Sequence, residues 1–118
     1  SRRISTMIER YGVYWATLDP VQGSQMSKTR PVVVISDEGM NRFLDTLVVC
    51  PLTSRLHPRW PSRIQAMVAG KEVEIAVDQI RTISKARIGE RLDRLEEPVA
   101  AEIRHLVTEM YGVLSVSS

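Results

Sequence analysis

One cysteine and two histidines in 118 residues leave little material for thiol or metal chemistry. A lone cysteine excludes an internal disulfide and fits a reducing compartment. Cys50 stands in the apolar run Leu47-Val48-Val49-Cys50, the setting of a buried, inert thiol rather than a nucleophile. Two histidines cannot build a zinc site alone, and no Cys/His cluster has ligand spacing, so neither metal nor cofactor is expected. No glycine-rich phosphate loop follows a strand, and no nucleophile-elbow pattern occurs. No segment reaches the roughly 18 to 20 apolar residues of a membrane helix. Ser1 to Thr6 is polar and basic with no apolar signal-peptide core behind it, so a cytoplasmic protein that meets no membrane is the expectation. Met7 is a candidate for the natural initiator, with residues 1–6 then an appended remnant.

A large excess of either charge is missing too. Sixteen basic against fourteen acidic residues leave a net charge of +2, so the molecule is not a polycation bound to seek nucleic acid. The charges are nevertheless uneven. Ser54 to Ile64 carries Arg55, Arg59, Arg63 and His57 with no acid, and Gln79 to Gly89 carries Arg81, Lys85 and Arg87 with none. Glu90 to Glu109 holds six acids against three arginines. Two basic stretches beside an acidic end fit a one-sided polyanion site, although charge alone fits scattered solvated side chains at least as well. Hydrophobic and charged fractions of 43% and 25% are those of a globular protein, and the length suits one domain over 1–118 with a real core.

Strand signals dominate the first two thirds. Gly12-Val13-Tyr14-Trp15-Ala16-Thr17-Leu18 is rich in β-branched and aromatic residues, and Asp19-Pro20 ends it. A polar loop runs from Gly23 to Thr29. Pro31 to Ile35 and Thr46 to Leu52 are continuously apolar, as in strands covered on both faces, with Ser36-Asp37-Glu38-Gly39 read as a turn. After a loop centred on His57-Pro58-Arg59-Trp60-Pro61, Val73, Ile75 and Val77 alternate with Glu72, Glu74 and Ala76, which predicts a half-exposed strand. Val99, Ile103, Leu106, Val107, Met110, Val113 and Leu114 then recur at spacings of three and four, one apolar helical stripe. Pro98 suits its first turn, and Glu96 and Glu97 complement the positive end of its dipole. The pattern predicts an α+β domain, a small barrel or sandwich followed by one main helix.

The chemistry left to such a chain uses Arg, Thr, Ser, Gln and Asp. Here the residues resemble a known family. Tyr11-Gly12-Val13-Tyr14-Trp15, Leu18-Asp19-Pro20 and Gly23-Ser24 are similar to the opening signature of MazF/PemK mRNA interferases. Arg30-Pro31-Val32-Val33-Val34-Ile35-Ser36, Cys50-Pro51-Leu52-Thr53-Ser54 and Val77-Asp78-Gln79-Ile80-Arg81-Thr82-Ile83 resemble the next three blocks, so the likeness runs in order from about Arg10 to Leu114. It implies an SH3-like β-barrel of the MazF/CcdB/Kid kind with a C-terminal α-helix. It also implies metal-independent, sequence-selective cleavage of single-stranded RNA, in which the 2′-hydroxyl attacks the scissile phosphate and leaves a cyclic phosphate and a 5′-hydroxyl. A bacterial toxin, a homodimer and a cognate antitoxin as partner come with it.

The family's catalytic pair falls on Arg30 and Thr53. In-line displacement builds charge on non-bridging phosphate oxygens, which a planar guanidinium can meet with two donors and a hydroxyl with one. Gln25 occupies the place of the family Glu, and a neutral amide cannot take the proton of a 2′-hydroxyl. Ser24, Lys28, Ser54, Arg55, His57, Asp78, Gln79 and Arg81 are the candidate RNA contacts. The resemblance also makes Asp78 a second candidate base, since some members have an Asp at its place in that role together with an Arg two residues before it, which is here Ala76. Asp78 reads at least as well as a structural residue, capping a turn or pairing with Arg81. Trp60 reads better as packed inward against Pro58 or Pro61 than as a stacking platform. Two other readings stay open. One is a CcdB-like gyrase poison without enzymatic activity, against which the chain end Gly112 to Ser118 carries no terminal aromatic. The other is an RNA-binding variant weakened or silenced by Gln25.

Overall fold

The computed structural model describes residues 8–18 and 28–112. Ser24 and Gln25, together with Val113 and Leu114 of the predicted stripe, lie outside the described residues. Seven strands alternate with two helices: β1 (Gly12–Thr17), β2 (Thr29–Val34), α1 (Glu38–Phe43), β3 (Thr46–Thr53), β4 (Arg63–Val68), β5 (Lys71–Ala76), β6 (Arg81–Ser84), β7 (Ile88–Arg94) and α2 (Glu97–Tyr111). All recorded pairings are antiparallel, in the order β4-β5-β3-β2-β1-β7. β3 is the longest strand, and the edge it turns away from β2 is shared: Thr46 to Val49 pair with β6, and Leu52 and Thr53 with β5. The two ends of the order, β4 and β7, approach each other, and the Ala69 amide at the β4–β5 turn donates to the Asp93 carboxylate on β7 (2.7 Å). The sheet is therefore curled.

The continuous apolar runs are explained by two cores. Val33, Cys50 and Leu52 join Ile64, Ile75 and Val77 in one cluster, while Val32, Val34, Leu47 and Val49 join Tyr14, Ala16 and Ile83 in the other. Val32, Val33 and Val34 alternate between the two, as do Val49 and Cys50, so these buried positions find apolar neighbours on whichever face they point to. Burial and the nearby Asp78 charge push the Cys50 thiol up to about 12, which keeps it protonated and inert.

α2 behaves as its stripe predicts. Pro98 lies in its first turn, Ala100 and Ile103 are buried in the first cluster, and Val99, Leu106, Val107 and Met110 pack partly buried against it. Ile103→Ala is expected to cost about 2–5 kcal/mol in urea unfolding, and the half-buried Leu106→Ala the lower end of that range. A loss below 0.5 kcal/mol for Ile103→Ala (roughly the scatter of surface changes) would contradict the packing.

Three expectations need correction. Ser36 to Gly39 is not a simple turn: Asp37 caps α1 by accepting from the Met40 amide (2.9 Å). The buried Asn41 of that helix donates to the Ser36 carbonyl (2.9 Å) and accepts from its hydroxyl (2.6 Å). β4, β6 and β7 were not legible as strands. Nor is β5 half-exposed along its whole length, because Glu74 and Ala76 are as buried as Ile75. No helix among the described residues is long and apolar enough to cross a membrane.

Candidate active site

β2 and β3 set the site. Their register pairs Val32 with Pro51, and two residues further along each strand lie Arg30 and Thr53. Both side chains line a cleft of about 420 Å³ together with Leu18, Arg55, His57, Gln79 and Arg81. A second cleft of about 510 Å³, bordered by Trp15, Lys28, Ser54, Val68 and Lys71, also includes Arg30 and Thr53. The pair thus stands where the two clefts meet, on the ends of adjacent strands. Exposed Arg30 forms no hydrogen bond or ion pair among the described residues. The Thr53 Oγ1 accepts from the Arg55 amide (3.1 Å), which engages its lone pair and leaves its proton free to be donated.

No carboxylate lines either cleft among the described residues. Arg81 is drawn toward the Leu18 carbonyl (3.4 Å), and Arg87 donates to the Thr17 and Leu18 carbonyls (3.1 Å each), so two cations brace the end of β1 beside the cleft. Gln79 sits on the lining in the 3₁₀ turn Val77–Gln79.

Behind the first cleft lies a network that the sequence did not announce. Glu74 is fully buried, and its carboxylate accepts from the His57 amide, from Arg63 Nη1 (2.7 Å) and from the Gln65 amide nitrogen (2.7 Å), with His57 Nδ1 at 3.0 Å. Burial by itself would raise the Glu74 carboxyl; these donors outweigh it and hold the group below the usual carboxylate range. Arg63 reaches the cleft lining with its side chain only 5% exposed, and it donates through Nε to Asp78 (2.8 Å), which also accepts from the Ser62 hydroxyl (2.9 Å). The balance at Asp78 is the same, with burial raising its carboxyl and Arg63 and Ser62 lowering it further. On Arg63, the hydrogen bond to Asp78 is the leading cause of a raised value, followed by that to Glu74 against the opposing cost of burial.

Two readings of this region change accordingly. Asp78 pairs with Arg63, not Arg81, and lines neither cleft. Trp60 does not pack inward on the prolines: it is 47% exposed, its ring stacks on His57 (centroids 3.9 Å apart, planes 20° apart), and the Arg63 guanidinium lies 4.5 Å over it. Glu74 and Arg63 were missed as site residues. The available signal was the acid-free basic stretch from Ser54 to Ile64, whose buried member had to find its counter-charge elsewhere in the chain.

A family model described as "PemK-like, MazF-like toxin of type II toxin-antitoxin system" matches residues 9–111. The endoribonuclease MazF of Staphylococcus saprophyticus is 31% identical over 117 residues, covering 95% of this chain and 98% of that protein. Among solved structures, MazF of Deinococcus radiodurans superposes with a TM-score of 0.77 at 22% identity, covering 92% of this chain and all of that one. The same organism's MazE–MazF complex gives a TM-score of 0.79 at 23% identity over 93% of this chain and all of the matched one. The curled antiparallel sheet with its C-terminal helix is thus a MazF-like fold. By the extent of the family match and the near full-length likeness to endoribonuclease MazF, this chain belongs to the PemK-like, MazF-like toxin family of type II toxin–antitoxin systems.

Proposed function

We propose that the chain is a metal-independent, sequence-selective endoribonuclease that cuts single-stranded RNA. The 2′-hydroxyl attacks the adjacent phosphorus, the bond to the 5′-oxygen breaks, and the products end in a cyclic phosphate and a 5′-hydroxyl. The observation that carries the reading is the pairing in one cleft, with no acid on its lining among the described residues, of a guanidinium that forms no ion pair among those residues, Arg30, with a donating hydroxyl, Thr53. Those two groups suit the oxygens on which charge grows during in-line displacement. Arg55 and Lys28 extend the positive lining to either side, where a phosphate backbone can track, and Ser54, Gln79 and Arg81 offer further donors.

The chain works as the toxin of a pair in a bacterial cytoplasm, as a homodimer restrained by a cognate antitoxin. The partner assignment draws support from the Deinococcus relative, solved as a MazE–MazF complex. The test is incubation of the purified chain with a long unstructured RNA in EDTA, followed by mapping of the ends. Discrete cuts with cyclic phosphates are expected, with a double-stranded control intact because its 2′-hydroxyl cannot swing in line. RNA retention without cuts, or gyrase arrest without RNA loss, would overturn the assignment.

A further inference from the structure

In-line attack needs a group that takes the 2′-hydroxyl proton, and the clefts offer few. Their linings supply arginines, lysines, hydroxyls and the Gln79 amide, none of which accepts a proton readily near neutrality. His57 is the exception among the described residues, because a neutral imidazole ring carries one basic lone pair that can take a proton. It lines the same cleft as Arg30 and Thr53.

The way His57 is held is unusual for a loop residue. One buried carboxylate grips it twice, Glu74 accepting from its backbone amide and bonding Nδ1 at 3.0 Å. Trp60 covers one ring face, and Arg63 Nη1, itself bonded to Glu74, lies 3.4 Å from Nδ1. An ionised carboxylate can only accept, so Nδ1 carries the hydrogen of the neutral ring and Nε2 carries the lone pair. Nε2 forms no hydrogen bond among the described residues, and the histidine side chain keeps 26% of its exposure. Carboxylate, oriented imidazole and an open nitrogen on a cleft are the arrangement of a general base with its positioning partner. A loop merely needing an anchor would be served by the amide contact alone.

We propose that His57 is the proton acceptor of this chain's RNA cleavage and that Glu74 is its positioning residue, an inference that rests on the ribonuclease reading above. The proton passes from the 2′-hydroxyl to Nε2 as the 2′-oxygen bonds phosphorus. The electron pair of the breaking bond stays on the 5′-oxygen, which takes a proton from water, and the imidazolium returns its own to solvent. The charged groups around the ring are Glu74 from β5, Arg63 from β4 with Asp78 behind it, Arg55 on the same loop, and Arg30 and Arg81 across the cleft from β2 and β6.

The test is single-turnover cleavage of one RNA by the full chain across roughly pH 5 to 9, the span in which imidazole changes charge. The wild-type rate should climb with pH and level off. His57→Gln should lose that climb and fall about 10²- to 10⁴-fold, the usual worth of a general base. Affinity for an RNA lacking the scissile 2′-hydroxyl should fall far less than the rate does, since the Gln amide keeps a polar donor where His57 can contact RNA while removing the base. Added imidazole should restore part of the rate to His57→Ala, an outcome that only a folded protein lacking its base can give. Glu74→Gln should lower the plateau about tenfold while leaving that affinity intact, the loss expected when an orienting partner goes. Cleavage by His57→Gln within about twofold of wild type, with the climb retained, would overturn this proposal alone. Absence of cyclic-phosphate ends from the wild type would overturn it together with the ribonuclease reading.

Discussion

Arg30→Ala is expected to slow single-turnover RNA cleavage by about 10²- to 10³-fold, the usual loss when one donor to a developing oxyanion is removed. The side chain stands exposed at the end of β2 and pairs with nothing among the described residues, so its removal should barely touch stability, within about ±0.5 kcal/mol. That separation matters, because a rate loss of this size in an equally stable protein has no structural explanation. Arg30→Lys keeps the charge but loses the two-pronged geometry, and should recover only part of the rate. Thr53→Val preserves shape and strand propensity while removing both the donated proton and the acceptor of the Arg55 amide, for a smaller loss of about tenfold. The measurement is rate under enzyme excess together with a urea midpoint for each variant. Wild-type cleavage by a folded Arg30→Ala protein would remove Arg30 from the chemistry.

The parts of this molecule that the sequence disclosed are those in which local pattern and tertiary need agree. Pro31 to Ile35 and Thr46 to Leu52 read as strands covered twice over because the middle of β2 and of β3 does lie between two cores. The stripe from Val99 to Met110 reads as a helix because only one face of α2 is buried. β7 was hidden because Gly89-Glu90-Arg91 carries no strand signal; pairing with β1 makes it a strand, against composition. β4 was hidden for a related reason: Ile64, Ala66 and Val68 do alternate inward, but Ala66 is a weak strand former and Arg63 and Gln65 dilute the run. Arg30 and Thr53 were legible as candidates through their place at strand ends and the family likeness. The cluster behind them was not. It depends on the β4–β5 register, which sets Gln65 opposite Glu74 and Arg63 opposite Ala76, and that register is fixed by the whole hairpin rather than by any short motif. An alternating strand predicts Glu74 outward; the polar pocket built by Arg63, Gln65 and His57 makes that outward face an interior one.

Because that interior face is charged, Arg63→Met is expected to destabilise the fold by about 3–5 kcal/mol, the cost of leaving a buried ion without its partner. Arg63 and Glu74 are both buried, and Asp78 on the far side of the guanidinium would lose its ion pair as well. The double variant Arg63→Met with Glu74→Met should recover much of the loss, since an apolar pair of similar volume avoids the desolvation of both ions. Acid sharpens the comparison. In the wild type, Glu74 and Asp78 have folded-state values below their unfolded ones, so their contribution is fully present above the unfolded carboxylate range near pH 4. It is lost as pH falls through the lower folded-state values. Without Arg63 the burial of Glu74 is opposed only by His57 and Gln65, so the folded variant binds a proton at higher pH than the wild type does. The stability gap between the two should therefore narrow as pH is lowered from about 7 toward 4. Urea titrations at several pH values read this directly. A gap that stays constant or widens on acidification would mean that Glu74 is not the group left uncompensated, and the buried ion pair would lose its place as the brace of the cleft wall.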